Sequence, residues 1–148
     1  MIRLKSTLEI PPRECPHCHS VLTASGFLIT GMRNLADSRC PQCKSEFYGD
    51  LPAGQALYTP ILFDKKFGAV YDDYNVGWFA DWLADSYKRR TKERRGFQTR
   101  KFSAVKDKVI LLNCLDTLYG HSLLKLLNAQ YYLDFQLDVS LIVLLPIC

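Results

Sequence analysis

The chain lacks the features of membrane, secreted and fibrous proteins. None of its apolar runs approaches the roughly 18 residues that would favour a membrane span. The amino-terminal residues MIRLKSTLEIPPR contain no apolar core of the kind that a secretory leader needs. Glycine and proline are scarce, with eight and seven residues among 148, which excludes collagen, low-complexity linkers and disordered tails. These absences, together with a hydrophobic fraction of 48%, predict a folded cytoplasmic protein.

The positive charge is concentrated in one segment. The formal net charge is +4, and residues 88–108 alone contain ten basic and two acidic residues. This basic segment could contact phosphates, since Phe97 and Phe102 are interleaved with its cations as in proteins that bind single-stranded nucleic acid. Such a segment is more often the solvated end of a helix and the loop after it. We favour the structural interpretation and keep nucleic-acid binding as an alternative.

The cysteines are arranged for metal binding. Four of the six form the motifs CPHC (residues 15–18) and CPQC (residues 40–43), separated by 21 residues. Two intervening residues let both sulfurs of a tight turn reach one ion at about 2.3 Å, so two such knuckles supply four thiolates to a tetrahedral ion. Disulfides would need an oxidising compartment, and the sequence has no export signal. We therefore predict a structural Zn²⁺ bound by Cys15, Cys18, Cys40 and Cys43.

Through these two motifs, residues 13–50 resemble zinc-ribbon modules. The resemblance implies a small β domain with a closed Cys₄ site, which argues against zinc catalysis because no coordination position stays open for water or substrate. It leaves open whether the ribbon is a nucleic-acid adaptor, a protein-docking module or a structural appendage. His17 and His19 lie beside the first motif and are expected to be bystanders. His19 is the expected substitute if one thiolate is missing.

Hydrophobic patterning predicts strands around and after the ribbon. They are expected at residues 21–30, 46–48, 56–63 and 69–71, the first interrupted at Ser25-Gly26. The last two should form a hairpin that either extends the ribbon sheet or caps the next domain.

A helix should follow the hairpin. Asn75 is a suitable N-cap, and the basic residues near the predicted carboxyl end match the helix dipole. One face of this helix is apolar and consists of Trp78, Phe79, Trp82, Leu83 and Tyr87.

The carboxy-terminal part of the chain predicts a βαβ unit. Residues 108–113 and 140–145 are apolar runs typical of buried parallel strands. A helix at residues 120–133 should cover one face of their sheet, with Leu123, Leu124, Leu127 and Tyr131 on its apolar face. In open α/β sheets, ligands bind where strands end and helices begin, so Asn113, Asp116 and His121 are the candidate ligand-binding residues. For His121 we favour the alternative of a local hydrogen bond.

Residues 108–146 resemble the first βαβ unit of Rossmann-type glycosyltransferases. The resemblance rests on the run at residues 109–112, on Tyr119-Gly120-His121 and on the leucine-rich residues 122–127. It implies a glycosyltransferase-like parent enzyme. GxGxxG, Walker A and donor-sugar motifs are absent, and a nucleotide-sugar site would need a second Rossmann domain. We therefore expect the chain alone to be inactive and assign no catalytic residue.

Two parallel strands and one helix make a poor independent core. The edge between Leu141 and Leu145 would be exposed and prone to association. We expect either a truncated form of a longer α/β protein, which we favour, or a chain that pairs this edge with a partner protein or a second copy.

The predicted fold class combines α+β and α/β structure. The predicted domains are a small β zinc ribbon (residues 1–52), a segment of hairpin, aromatic helix and basic linker (residues 53–107), and a partial Rossmann-like βαβ unit (residues 108–148). The predicted function is zinc binding by a structural ribbon attached to an incomplete glycosyltransferase-like domain. The alternatives are a nucleic-acid adaptor and an interaction module that completes its sheet with a partner.

Overall fold

The protein has mixed α+β structure and divides into two compact units. The computed structural model describes residues 9–30, 33–51, 61–72, 77–90, 98–115, 119–135 and 138–146. Met1–Arg90 form the first unit, and Thr91–Cys148 form the second. In the described part of the chain, no helix combines the length and the apolar character needed to cross a membrane.

An antiparallel five-stranded sheet forms the described framework of the first unit. Its strands lie in sequence order, and each pairs with the next. The strand β1 has a register shift between Ala24 and Gly26, which is a bulge at the predicted interruption. The strands are β1 (Thr23–Thr30), β2 (Arg33–Arg39), β3 (Glu46–Asp50), β4 (Ile61–Asp64) and β5 (Val70–Asp72).

The hairpin β4–β5 extends the ribbon sheet. Strand β4 pairs with β3, with Tyr48 opposite Phe63 and Gly49 opposite Leu62. The turn between β4 and β5 contains Gly68 at φ 68°, a left-handed conformation that glycine adopts without steric cost. The first compact unit therefore contains both the cysteine motifs and the hairpin.

Helix α1 (Gly77–Lys88) covers one face of this sheet. The ring of Tyr87 lies 4.6 Å from that of Phe63, measured between centroids. The predicted helix is confirmed, and of its predicted apolar face Leu83 is buried and Tyr87 packs on the cluster, whereas Trp82 is exposed. Asn75 and the side chains of Trp78 and Phe79 lie outside the described residues. The buried cluster between helix and sheet consists of Leu35, Ile61, Phe63, Ala80 and Leu83.

Strand β4 lies between the helix and the cysteine motifs. All four of its residues are buried. Because successive side chains of a strand point to opposite faces, Ile61 and Phe63 belong to the cluster under α1. Leu62 lies on the other face and packs with Cys15 and Cys40. The hairpin is thus part of the surroundings of the cysteines.

The second unit contains a parallel strand pair joined through a helix. Strand β6 (Val109–Asn113) pairs in parallel with β7 (Ser140–Leu144), and α2 (Tyr119–Asp134) lies between them in sequence. The predicted order of strand, helix and strand is confirmed. Two strands and one helix are too few to define a Rossmann-like fold, so that part of the fold class stays a prediction.

Helix α2 contacts the end of β6 through polar side chains. The hydroxyl of Ser122 donates to the carbonyl of Cys114 at 3.2 Å, and the Lys125 ammonium donates to the carbonyl of Asn113 at 3.0 Å. Ser122, Lys125 and the buried Ala129 therefore form the inner face of the helix, because the carbonyl groups at the strand end bind the first two. The prediction that the leucine face would be buried is wrong, since that face is exposed at Leu123, Leu124, Leu127 and Tyr131.

Candidate metal centre

The four cysteines of the CPxC motifs converge on one point. Their sulfur atoms all lie within 4.8 Å of one another. The Sγ atoms of Cys15 and Cys43 are 3.5 Å apart, and those of Cys18 and Cys40 are 3.4 Å apart. Four sulfurs placed tetrahedrally at about 2.3 Å from one ion would be about 3.8 Å apart, which lies within this range. The arrangement can therefore hold a metal ion.

The two motifs form the same turn. In each, the backbone N–H of the first cysteine donates to the carbonyl five positions later, at 2.9 and 2.8 Å. The residue four positions after the first cysteine donates to that cysteine's carbonyl, at 2.8 and 3.1 Å. These residues, His19 and Lys44, have φ values of 62° and 64°, in the left-handed region that closes the turn. The backbone itself thus brings the two sulfurs of each motif together.

Burial differs among the four cysteines. Cys15 and Cys40 are completely buried and pack against Phe47 in the cluster that also contains Leu62. Cys18 is half-buried, and Cys43 is exposed. An ion bound to all four would therefore connect the core of the first unit to its surface.

The surroundings also differentiate the thiols chemically. Burial raises the pKa of the Cys15 thiol to about 12. Hydrogen bonds from the side chain and backbone of Ser45 lower the pKa of Cys43 to about 6. Hydrogen bonds to Ser20 lower the pKa of Cys18. At neutral pH the metal-free site thus offers a thiolate at Cys43, whereas Cys15 must release a proton before it binds a cation.

Sequence reasoning missed the serine that follows each motif. Ser20 Oγ lies 3.6 Å from Cys18 Sγ, and Ser45 Oγ lies 3.3 Å from Cys43 Sγ. The signal that could have identified them is a longer repeat, because CPxCxS occurs at both residues 15–20 and residues 40–45.

The two histidines beside the first motif occupy different environments. The His17 side chain is 25% exposed, and its ring nitrogens lie near Ser45, Asp64 and Tyr71. The His19 side chain is 82% exposed, and its Nδ1 is 3.7 Å from a carboxylate oxygen of Glu14. The described metal-binding group consists of the four cysteines and includes neither histidine.

The candidate ligand-binding residues of the second unit are only partly described. Asn113 ends β6, and its Oδ1 accepts a hydrogen bond from the backbone N–H of Leu115 at 3.1 Å. His121 is exposed in the first turn of α2, and Asp116 lies outside the described residues. A ligand site formed by these three residues stays a prediction.

Comparison of the chain with protein-family models, with curated proteins and with solved structures finds no match in any of the three. The class that fold and site define is therefore a mixed α+β protein with a tetracysteine site able to bind a metal ion.

Proposed function

We propose that the first unit binds one Zn²⁺ through Cys15, Cys18, Cys40 and Cys43. The observation that carries the proposal is the convergence of four sulfurs within 4.8 Å. A tetrahedral set of four thiolates is typical of zinc and of iron, and zinc is the usual occupant of structural Cys₄ sites. Carboxylate-preferring ions such as Mg²⁺ and Ca²⁺ are poorly matched to this donor set.

The bound zinc has a structural role in this proposal. Four protein thiolates complete a tetrahedral coordination sphere, so no position remains for water or substrate. Two of the ligands, Cys15 and Cys40, belong to the buried cluster with Phe47 and Leu62. Zinc binding would therefore add its free energy to the folding of the sheet and its hairpin.

Metal analysis of the purified chain under reducing conditions tests this proposal. We expect about one zinc per chain and no visible absorption from an iron–thiolate centre. Cys40→Ser should lose the metal, whereas Cys114→Ser should retain it because Cys114 is a buried thiol of the second unit. Metal-free wild-type protein with an intact fold would contradict the proposal.

A second candidate function is association through the second unit. Strand β7 pairs only with β6 among the described strands, and Val143 of this strand and Leu145 just after it are 37% and 60% exposed. We propose that the edge between Leu141 and Leu145 pairs with a second copy of the chain. Light scattering should show an oligomer that Val143→Lys disrupts without changing the zinc content. A monomeric wild-type chain at high concentration would contradict this.

The glycosyltransferase-like interpretation of residues 108–146 stays a prediction. A parallel strand pair with an intervening helix supports it in outline, since such a unit opens many α/β domains. Further β-α units would be needed around it for a nucleotide site.

The basic segment begins with residues that already have a structural role. Arg90 donates to the carbonyl of Tyr87 at 2.6 Å, and its guanidinium lies 3.5 Å from the centre of the Tyr87 ring. Arg89 donates to the carbonyl of Asp85 at 3.3 Å. These contacts at the end of α1 favour the structural interpretation over nucleic-acid binding.

A further inference from the structure

We propose that His17 is a positioning residue of the metal site. Its side chain connects the first CPxC turn to the second turn and to the β4–β5 hairpin. The proposal rests on the proposed zinc function. According to this proposal, zinc affinity depends on a side chain that is not a ligand and on a hairpin outside the cysteine motifs.

The strongest anchor of His17 is a buried carboxylate. Asp64, at the end of β4, is completely buried. Its Oδ1 accepts backbone N–H groups of Lys66 and Phe67, at 2.7 and 2.9 Å. Its Oδ2 has no aligned hydrogen-bond partner among the described residues, and the group that lies beside it is His17 Nε2, at 3.0 Å. A buried carboxylate oxygen without a partner is costly, so this contact should hold the imidazole in place.

The second ring nitrogen fixes the orientation of the imidazole. A carboxylate oxygen only accepts hydrogen bonds, so Asp64 beside Nε2 favours the form of the ring that carries a hydrogen on this nitrogen, and the Tyr71 hydroxyl can accept it. Nδ1 lies 3.1 Å from the hydroxyl of Ser45, next to the second cysteine motif. The Tyr71 hydroxyl of β5 is 3.2 Å from Nε2. The ring thus contacts two segments that are distant from it in sequence, the second cysteine turn and the β4–β5 hairpin.

A His17 ring held in this position also restrains the cysteines of the metal site. His17 lies between Cys15 and Cys18 in the CPHC motif, so a fixed ring restrains the turn that carries both sulfurs. Ser45 also lies 3.3 Å from the sulfur of Cys43, which connects the ring to a ligand of the second motif. Groups that orient metal ligands in this way typically change metal affinity by about 10- to 100-fold when removed.

Chelator competition on the zinc-loaded full chain tests the proposal. We expect His17→Ala to weaken zinc binding by about 10- to 100-fold, and to change the absorption spectrum of the Co²⁺-substituted site, which reports ligand geometry. His17→Gln should restore most of the affinity because its amide N–H can donate to Asp64. His19→Ala is the matched control and should bind zinc like the wild type.

Tyr71→Phe is a milder variant that removes a single hydroxyl. It should weaken zinc binding less than His17→Ala does, and it keeps the test valid if His17→Ala does not fold. Equal affinity in wild type, His17→Ala and Tyr71→Phe would overturn the proposal, as would a loss in His17→Ala that His17→Gln does not restore. Failure of the wild-type chain itself to bind zinc would instead refute the proposed function.

Discussion

Removal of the metal should unfold the first unit. The two fully buried cysteines of the site, Cys15 and Cys40, share a cluster with Phe47 and Leu62, and strand β4 connects that cluster to the core under α1. Loss of the ion would leave a buried Cys15 thiol and would remove the link between the two turns. We therefore expect the unfolding to include α1, on the opposite face of the sheet.

The expected extent of unfolding follows from two free energies, the stability of the unit and the binding free energy of structural zinc. A unit of 90 residues, from Met1 to Arg90, has a typical stability of about 5–14 kcal/mol. Structural zinc sites contribute about 10–16 kcal/mol of apparent binding free energy near neutral pH. The zinc contribution therefore matches or exceeds the stability of the unit over most of the two ranges, and the metal-free unit should be largely unfolded.

Tryptophan fluorescence provides the assay. Both tryptophans of the chain, Trp78 and Trp82, belong to α1. Addition of a strong zinc chelator under reducing conditions should shift their emission to the red, and added zinc should reverse the shift. Cys40→Ser should show the red-shifted emission without chelator. Unchanged emission and a cooperative melting transition in fully metal-free wild-type protein would refute this reasoning.

In the zinc-loaded, folded chain near pH 7, iodoacetamide should label Cys43 before Cys15, because Cys43 is exposed whereas Cys15 is completely buried. Peptide mass spectrometry identifies the order, and early labelling of Cys15 would contradict this prediction. The logarithm of zinc affinity should fall as the pH falls, because thiols must release their protons when they bind zinc. A pH-independent affinity would be inconsistent with thiolate ligands. Phe63→Ala should lower the free energy of unfolding of the zinc-loaded protein by about 3–5 kcal/mol, because the ring is completely buried between β4 and α1. Denaturant titration measures the change. A loss below about 1 kcal/mol would mean that the ring is not part of the core.

The convergence of the four cysteines is the part of the site that the sequence predicted correctly. The CPxC turns are local, because the hydrogen bonds that close each of them span at most five residues. The grouping of their sulfurs was therefore predictable from spacing alone. The contacts of His17 were not, since Asp64 and Tyr71 lie 47 and 54 residues away in the chain, and a sequence pattern does not specify which distant segments meet.

Strand β2 shows a different limit of sequence patterning. Its sequence, RNLADSR, contains three charged residues among seven and no alternation of apolar and polar positions. It is a strand because β1 and β3 satisfy its backbone on both sides, while Leu35 and Ala36 are buried. Pairing of this kind is a tertiary effect that overrides local propensity.

Helix α2 shows that periodicity does not determine which face is buried. The leucines were correctly placed on one side of the helix, but Ser122 and Lys125 on the other side bind carbonyl groups at the end of β6. A sheet of two strands also provides little apolar surface for a helix to cover.

Zinc K-edge X-ray absorption of the zinc-loaded full chain tests the central claim most directly. The account predicts four sulfur ligands at about 2.3 Å and no imidazole scattering, since both histidines of the first motif lie outside the ligand set. A first coordination shell with fewer than four sulfurs, or with nitrogen or oxygen ligands, would contradict the assignment of Cys15, Cys18, Cys40 and Cys43 as a closed structural site.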